Sequence, residues 1–218
     1  MVNKTWIQRW EDGETGFHQS SVNSYLTKHW PKLNAPAHST VFIPLCGKTL
    51  DILWLAKQNL NIIGIELSEI AIKAFFEENS LTYKTSSTAK FKVYESENIK
   101  LICGDFFDLT SEDFPDNTNI FDRAALIALP PEMRNKYAAH LIHILPKSSK
   151  TLLICMEYDQ KEMSGPPYSV TPEELKQLYG KTYQIEAIQS EDIMEDEPRF
   201  KARGLSKLEE KVYLLRSH

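Results

Sequence analysis

The 218-residue chain has only three cysteines, Cys46, Cys103 and Cys155. Odd in number, widely spaced and without a CxxC pair, they exclude a disulfide framework and a zinc ribbon. Each lies in or beside an apolar run, the setting of a buried free thiol in a reducing compartment. Long apolar runs are also missing: Ala124–Leu129 and Leu152–Met156 fall far short of the ~18 residues a membrane span needs. The opening residues break their apolar positions with charges and lack the apolar stretch of a signal peptide. A basic surplus is absent as well, since 25 Lys and Arg stand against 30 Asp and Glu, a net charge of −5. That is not the footprint of a nucleic-acid-binding surface. The expectation is a soluble cytoplasmic protein with neither a nucleic-acid nor a membrane partner.

Glycine is scarce too. Its eight positions never form GxG, which removes the dinucleotide-binding fingerprint. Gly47-Lys48-Thr49 copies the end of a phosphate-binding P-loop, but Phe42 stands where the first glycine of that loop belongs. Backbone amides therefore cannot wrap a triphosphate there. Of the six histidines only His140 and His143 share a helical face, and no cysteine or carboxylate cluster joins them. No metal site is expected.

What is present is an alternation. Val22, Tyr25, Leu26, His29 and Trp30 recur at helical spacing and stop at Pro31. Strands are expected at Thr40–Leu45, Asn61–Glu66, Phe91–Tyr94, Ile99–Cys103, Asn119–Asp122, Thr151–Glu157, Tyr183–Ile188 and Lys211–Arg216. Helices are expected at Lys48–Gln58, with Leu50, Leu53 and Trp54 inward, and from Ser68 to Asn79, with Ile72, Phe75 and Phe76 inward. Another follows Pro130-Pro131 with Met133, Tyr137, Leu141, Ile144 and Leu145 on one stripe. The capping box Thr171-Pro172-Glu173-Glu174 opens a last one, ending at Gly180. Thr82–Lys90 reads as a loop, and the stretch around Arg199 as irregular. Alternating strands and helices imply an open, doubly wound α/β fold with a mostly parallel sheet and helices on both faces. Without repeats or linkers, one domain is expected: a helical arm over residues 1–38 and an α/β core over 39–218.

In such sheets ligands bind beyond the carboxyl ends of the strands. Glu66 ends the second strand, 19 residues after Gly47. It can accept hydrogen bonds from both ribose hydroxyls of a nucleoside, or cap the helix that starts at Ser68. Asp105 ends the strand at Cys103 and is followed by Phe106, an acid for an adenine amine and a ring to pack against it. A glycine turn, a ribose acid and an adenine acid without a pyrophosphate loop favour S-adenosylmethionine over a dinucleotide.

Several segments go further. They are Trp6-Ile7-Gln8-Arg9-Trp10, Gly16-Phe17-His18-Gln19, Pro44-Leu45-Cys46-Gly47-Lys48, Ile65–Glu69, Cys103–Phe107, Asp122–Pro131, Tyr158-Asp159-Gln160, Gly165-Pro166-Pro167 and Glu197–Phe200. With these, in this order, the chain resembles the thiopurine S-methyltransferase family, particularly its shorter bacterial branch, from about Trp6 to Arg216. Departures are mild, such as Met156-Glu157 before Tyr158, where the family often has an Asp. The resemblance implies cofactor contacts from Trp10, Leu45, Glu66 and Arg123, with Asp105 and Phe106 flanking the adenine. It implies that Phe17 lines the site and that Arg199 approaches the substrate and acts in catalysis. Trp6, Trp10 and Phe17 give the arm too many aromatics for a solvated tail, so a lid is expected. Arg123 suits a methionyl carboxylate through a bidentate fork. The implied reaction is in-line methyl transfer from S-adenosylmethionine to the sulfur of an aromatic or heterocyclic thiol, such as a thiopurine, or to selenium or tellurium compounds. A monomer is expected.

Three alternatives remain. Gly165-Pro166-Pro167-Tyr168 superficially resembles the Asn/Asp-Pro-Pro-Tyr motif of nucleic-acid amino-methyltransferases, but it begins with glycine and follows the fifth strand rather than the fourth. A binding module without turnover is a second, and a Cys46 nucleophile at a helix N-terminus a third. Arg199 itself has a plainer reading as a surface ion pair with Glu195 or Glu197.

Overall fold

The computed structural model describes residues 2–218 and divides into two compact units, Met1–Asn119 and Ile120–His218. No helix among the described residues is long and apolar enough to cross a membrane.

The first unit opens with α1 (Val2–Glu11) and α2 (Ser24–His29). Asn23 caps α2, its side-chain oxygen accepting from the N–H groups of Tyr25 and Leu26 at 3.0 and 3.2 Å. Then come β1 (Thr40–Ile43), α3 (Asp51–Ala56), β2 (Asn61–Glu66), α4 (Glu69–Glu78) and β3, β4 and β5 (Lys84–Ser87, Lys92–Ser96, Ile99–Cys103). Their order is β3-β4-β5-β2-β1, with β1, β2 and β5 parallel and β3 and β4 antiparallel. Residues 41–43 of β1 and 62–66 of β2 are buried throughout, as continuous apolar strands of a parallel sheet should be. Ser68 caps α4, which buries Ile72, Phe75 and Phe76 as its spacing predicts.

Two local expectations need correction. Residues 84–87 form an exposed edge strand rather than a loop: β4 lends them a ladder, and their Ser, Thr and Lys side chains face water. In α3 the fully buried residues are Asp51, Ile52 and Leu55, while Leu50, Leu53 and Trp54 are half-buried. The helix starts three residues later than expected, and Asp51 is drawn inward by the Asn23 N–H (2.8 Å) and the Thr49 hydroxyl (2.9 Å).

The second unit contains β6 (Thr118–Arg123) from Ile120 onward, α5 (Pro131–Ile144), β7 (Thr151–Glu157), α6 (Pro172–Tyr179), β8 (Tyr183–Asp192), α7 (Pro198–Ala202) and β9 (Glu209–Ser217). Strand order is β6-β7-β9-β8, with β6 and β7 parallel and β9 antiparallel to both β7 and β8. The antiparallel β9 therefore starts at the edge where β6 and β7 end. The segment around Arg199 is helical, because Pro198 opens α7 and Phe200 anchors it among Tyr158, Met163, Ile193, Met194, Leu205 and Leu208.

Candidate functional site

In the first unit the site is built at the ends of β1 and β2. Leu45 and Gly47 both take positive φ (47° and 53°), which turns the chain sharply out of β1. The turn aims the Gly47 N–H at Oε2 of Glu66 (2.9 Å), and the Ser68 N–H donates to Oε1 (2.8 Å). Glu66 is buried, at 7% exposure. Burial pushes its carboxyl up from the ordinary value, opposed by the amides of Ser68, Gly47 and Leu67. Each carboxylate oxygen has a second lone pair. A vicinal diol is the ligand group that would occupy both and offset the burial cost. Glu66 thus ties down the start of α4 and keeps acceptor capacity to spare.

Beside it, the Cys46 thiol is pushed well up, first by burial and then by the Glu66 charge. A thiol held protonated is a poor nucleophile, so the Cys46 alternative loses its chemical basis.

Trp10, the buried end of α1, lies against the same turn. A Cβ placed on Gly47 would come within 3.2 Å of Trp10 Cζ2, so the glycine is what lets the ring approach. Phe17 meets Trp10 edge-on at 5.3 Å and Trp6 at 5.4 Å. The arm's aromatics therefore form one cluster over the β1 turn. Asp105 and Phe106 sit differently. The Asp105 carboxylate accepts from the Phe107 N–H (3.0 Å) and caps a short turn, while Phe106 is buried and stacked with Phe42 at 6.3 Å.

In the second unit, the Asp122 carboxylate points inward, accepting from Tyr137 Oη (2.7 Å) and the Leu126 N–H (3.3 Å). Burial pushes it up to about 6 against these bonds. Alternation along β6 then turns Arg123 to the opposite face at the strand's carboxyl end. Arg123 is half-buried and within charge range of Glu210, the second residue of β9. Glu197 adds a second carboxylate near Glu210 and binds Arg199, whose Nε donates to its Oε2 at 2.7 Å. Arg199 also lies over the Phe200 ring at 4.8 Å. The second unit thus gathers Arg123, Glu210, Glu197 and Arg199 into one charge series.

Sequence reasoning missed two residues here. Arg134 is fully buried on α5, bound to both oxygens of Glu174 (2.7 and 2.8 Å) and to the carbonyls of Leu129 and Ser169 (3.0 Å each). Its signal was an arginine on the Tyr137–Leu141 stripe. Glu210 had none, sitting in an ordinary Glu-Glu-Lys run. The Gly165–Tyr168 loop is tied down by its own neighbours: Arg203 donates to the Pro166 carbonyl (3.2 Å) and Tyr158 Oη to that of Pro167 (2.6 Å). Carbonyls committed this way are poor grips for a target amine, and the amino-methyltransferase reading weakens accordingly.

A model of the family described as thiopurine S-methyltransferase (TPMT) matches residues 1–218. The chain belongs to that family. A thiopurine S-methyltransferase of Nitrosospira multiformis is 44% identical over 215 residues, covering 99% of this chain and 98% of the relative. Another, from Pseudomonas fluorescens strain Pf0-1, is 46% identical over 216 residues, 99% of each. Among solved structures, an S-adenosylmethionine-dependent methyltransferase from Anabaena variabilis superposes with a TM-score of 0.67 at 14% identity, over 100% of this chain and 96% of that one. The 1,6-didemethyltoxoflavin-N1-methyltransferase of Burkholderia thailandensis, solved with bound 1,6-didemethyltoxoflavin and S-adenosylhomocysteine, gives 0.66 at 17% identity over 99% of this chain and 87% of that one. These likenesses show the open, doubly wound α/β fold expected from the strand–helix alternation. The thiopurine S-methyltransferase resemblance drawn from the motifs thereby holds over the whole chain.

Proposed function

We propose that this protein transfers the methyl group of S-adenosylmethionine to the sulfur of aromatic and heterocyclic thiols, thiopurines among them. The observation that carries this reading is the Trp10–Gly47–Glu66 cluster, in a chain that belongs to the thiopurine S-methyltransferase family from end to end. S-adenosylmethionine supplies an electrophilic methyl on a sulfonium sulfur.

The chain's own residues do the rest. Glu66 accepts the ribose hydroxyls through its remaining lone pairs. The rings of Trp10 and Phe17 exclude water, and an aromatic face favours a cationic sulfur by about 0.5–2 kcal/mol. Leu45, held at positive φ, offers its half-buried side chain to the cofactor. Asp105 and Phe106 flank the adenine, Asp105 through whatever acceptor capacity its capping bond leaves. Arg123 forks onto the methionyl carboxylate, and Arg199 faces the thiol. Holding nucleophile and methyl in line is worth on the order of 7–11 kcal/mol, the largest single contribution this kind of site can make.

We place the protein in the cytoplasm, a reading that its three free cysteines, two of them buried, support, and we take it to be a monomer. Light scattering at working concentration checks the oligomeric state. The reaction is tested by a panel of aromatic thiols, thiopurines, selenite and tellurite with radiolabelled S-adenosylmethionine. Label transferred to aromatic thiols supports the reading. Tight cofactor binding with no transfer to any member would leave a binding module instead.

A further inference from the structure

We propose that Glu210 is the proton acceptor for the substrate thiol, an inference that rests on the thiol-methylation reading above. Glu210 is the second residue of β9, which runs antiparallel to β7 with Glu210 opposite Met156. Its carboxylate is thereby delivered to the strand edge where β6 delivers Arg123, the edge at which α/β sheets bind their ligands.

The charges around it decide its character. Glu191 pairs with it across the β8–β9 ladder, and Arg123 at the end of β6 and Glu197 just before α7 lie within charge range. Met156, its partner on β7, brings no charge. On its own strand, Glu209 and Lys211 lie on the opposite face, where Lys211 binds Glu157 at 2.5 Å and Glu209 at 3.5 Å. Burial is the main influence on Glu210 and pushes its carboxyl up to about 7, with Glu197 and Glu191 adding to the rise and Arg123 opposing it. A group titrating there can both take and release a proton at neutral pH. Among the neighbouring carboxylates, Glu197 is committed to Arg199, Glu157 to Lys211, and Glu191 is exposed and accepts from Gln189 at 3.0 Å. Asp122 is enclosed and bonded to Tyr137.

In the step proposed, the S–H proton passes to the Glu210 carboxylate. The freed sulfur pair forms the new S–CH3 bond, and the old methyl–sulfur bond leaves its electrons on the departing thioether. Glu210 then loses the proton to water. Arg123 and Arg199 keep the positive potential that favours a thiolate nearby.

The test uses the 218-residue chain and two thiols, phenylmethanethiol, largely protonated near neutrality, and thionitrobenzoate, already ionised. For the first, wild-type kcat/KM should rise through about pH 7 and fall once the thiol itself ionises. Glu210→Gln should show only the rise with thiol ionisation, at least tenfold lower near pH 7. For thionitrobenzoate the wild-type rate should fall as pH rises through about 7, and Glu210→Gln should flatten that fall. A readout independent of turnover is proton uptake when thionitrobenzoate binds without cofactor, measured calorimetrically in buffers of different ionisation enthalpy. About half a proton per site is expected at pH 7 for wild type, retained in Glu210→Asp and lost in Glu210→Gln. No uptake by wild type overturns the proposal whatever the variants do, as does uptake retained by a folded Glu210→Gln. Normal transfer with unaltered pH profiles in Glu210→Gln removes Glu210 alone. Failure of wild type to methylate any thiol removes the underlying reading and this proposal with it.

Discussion

The backbone N–H of Gly47 donates to Oε2 of Glu66 at 2.9 Å, closing the β1 turn onto the end of β2. One carboxylate therefore holds the β1 turn in shape, and in the proposed function it is also the acceptor for the ribose. Glu66→Ala should lower affinity for S-adenosylhomocysteine 10- to 100-fold, the ~1.5–3 kcal/mol of a charge-assisted contact. Glu66→Gln keeps one acceptor and should lose less. Titration calorimetry on variants with unchanged circular dichroism decides it. Wild-type affinity in both would remove the ribose assignment.

Gly47 supplies a second prediction. Its φ of 53° and the 3.2 Å approach of Trp10 Cζ2 both penalise a side chain. Gly47→Ala should cost about 1–2 kcal/mol of backbone strain and push the Trp10 ring away. Tryptophan emission should shift red, and proteolysis near residues 10–19 should quicken. In wild type, saturating S-adenosylhomocysteine should slow the same cleavage, as expected of a lid. Equal cleavage with and without ligand would make the arm a fixed wall.

How far such features were legible depended on how local their causes are. Buried strands such as Asn61–Glu66 announce themselves by apolar runs, and the Ser68 cap by one side chain. The Gly47–Glu66 pairing was readable because a strand–turn–helix unit fixes both positions relative to the sheet edge. By contrast, the strand at 84–87 depends on a neighbour's ladder, and its own composition speaks for a loop. Glu210 was silent for a related reason. The charges that act on it come from β6, β8 and the segment before α7, and no local pattern announces them. Asp105 and Phe106 matched a nucleoside pattern, yet the cap and the Phe42 stack are also sufficient reasons for them to stand where they do.

Glu210 also makes the fold's stability depend on pH. Its carboxyl titrates at about 7 in the fold against an ordinary 4.5, so the native state holds the proton longer. Its contribution to stability is complete below pH ~4.5 and is lost as pH rises through about 7. That gap corresponds to roughly 3 kcal/mol at most. Glu210→Gln, which never ionises, should be close to wild type at pH 5 and more stable at pH 8. Thermal denaturation at the two pH values measures this. The same difference in Tm at both would mean the carboxylate is better solvated than its burial implies.

Arg123 and Arg199 are assigned to different ligands, and the geometry sharpens the contrast. Arg199 is about half exposed, bonded to Glu197 at 2.7 Å and stacked on Phe200. If it acts on substrate, it must trade part of the Glu197 contact for the thiol's developing charge. An exposed pair of this kind is worth only ~0–1 kcal/mol, so the exchange is energetically cheap. Arg199→Ala should then lower kcat/KM for weakly acidic thiols about tenfold or more, while leaving S-adenosylmethionine affinity nearly intact. The deficit should shrink for thiols already ionised at assay pH, which need less stabilisation. Arg123→Ala should behave differently, weakening cofactor binding through loss of the carboxylate fork. It should also raise the Glu210 carboxyl further, because Arg123 is the one neighbouring charge that lowers it. Any pH-dependent limb near 7 should accordingly move upward in Arg123→Ala and stay in place in Arg199→Ala. Wild-type kinetics from Arg199→Ala on both classes of thiol would leave that residue as a surface partner of Glu197 and nothing more. A limb unmoved in Arg123→Ala would mean that Arg123 does not set the charge state of the site.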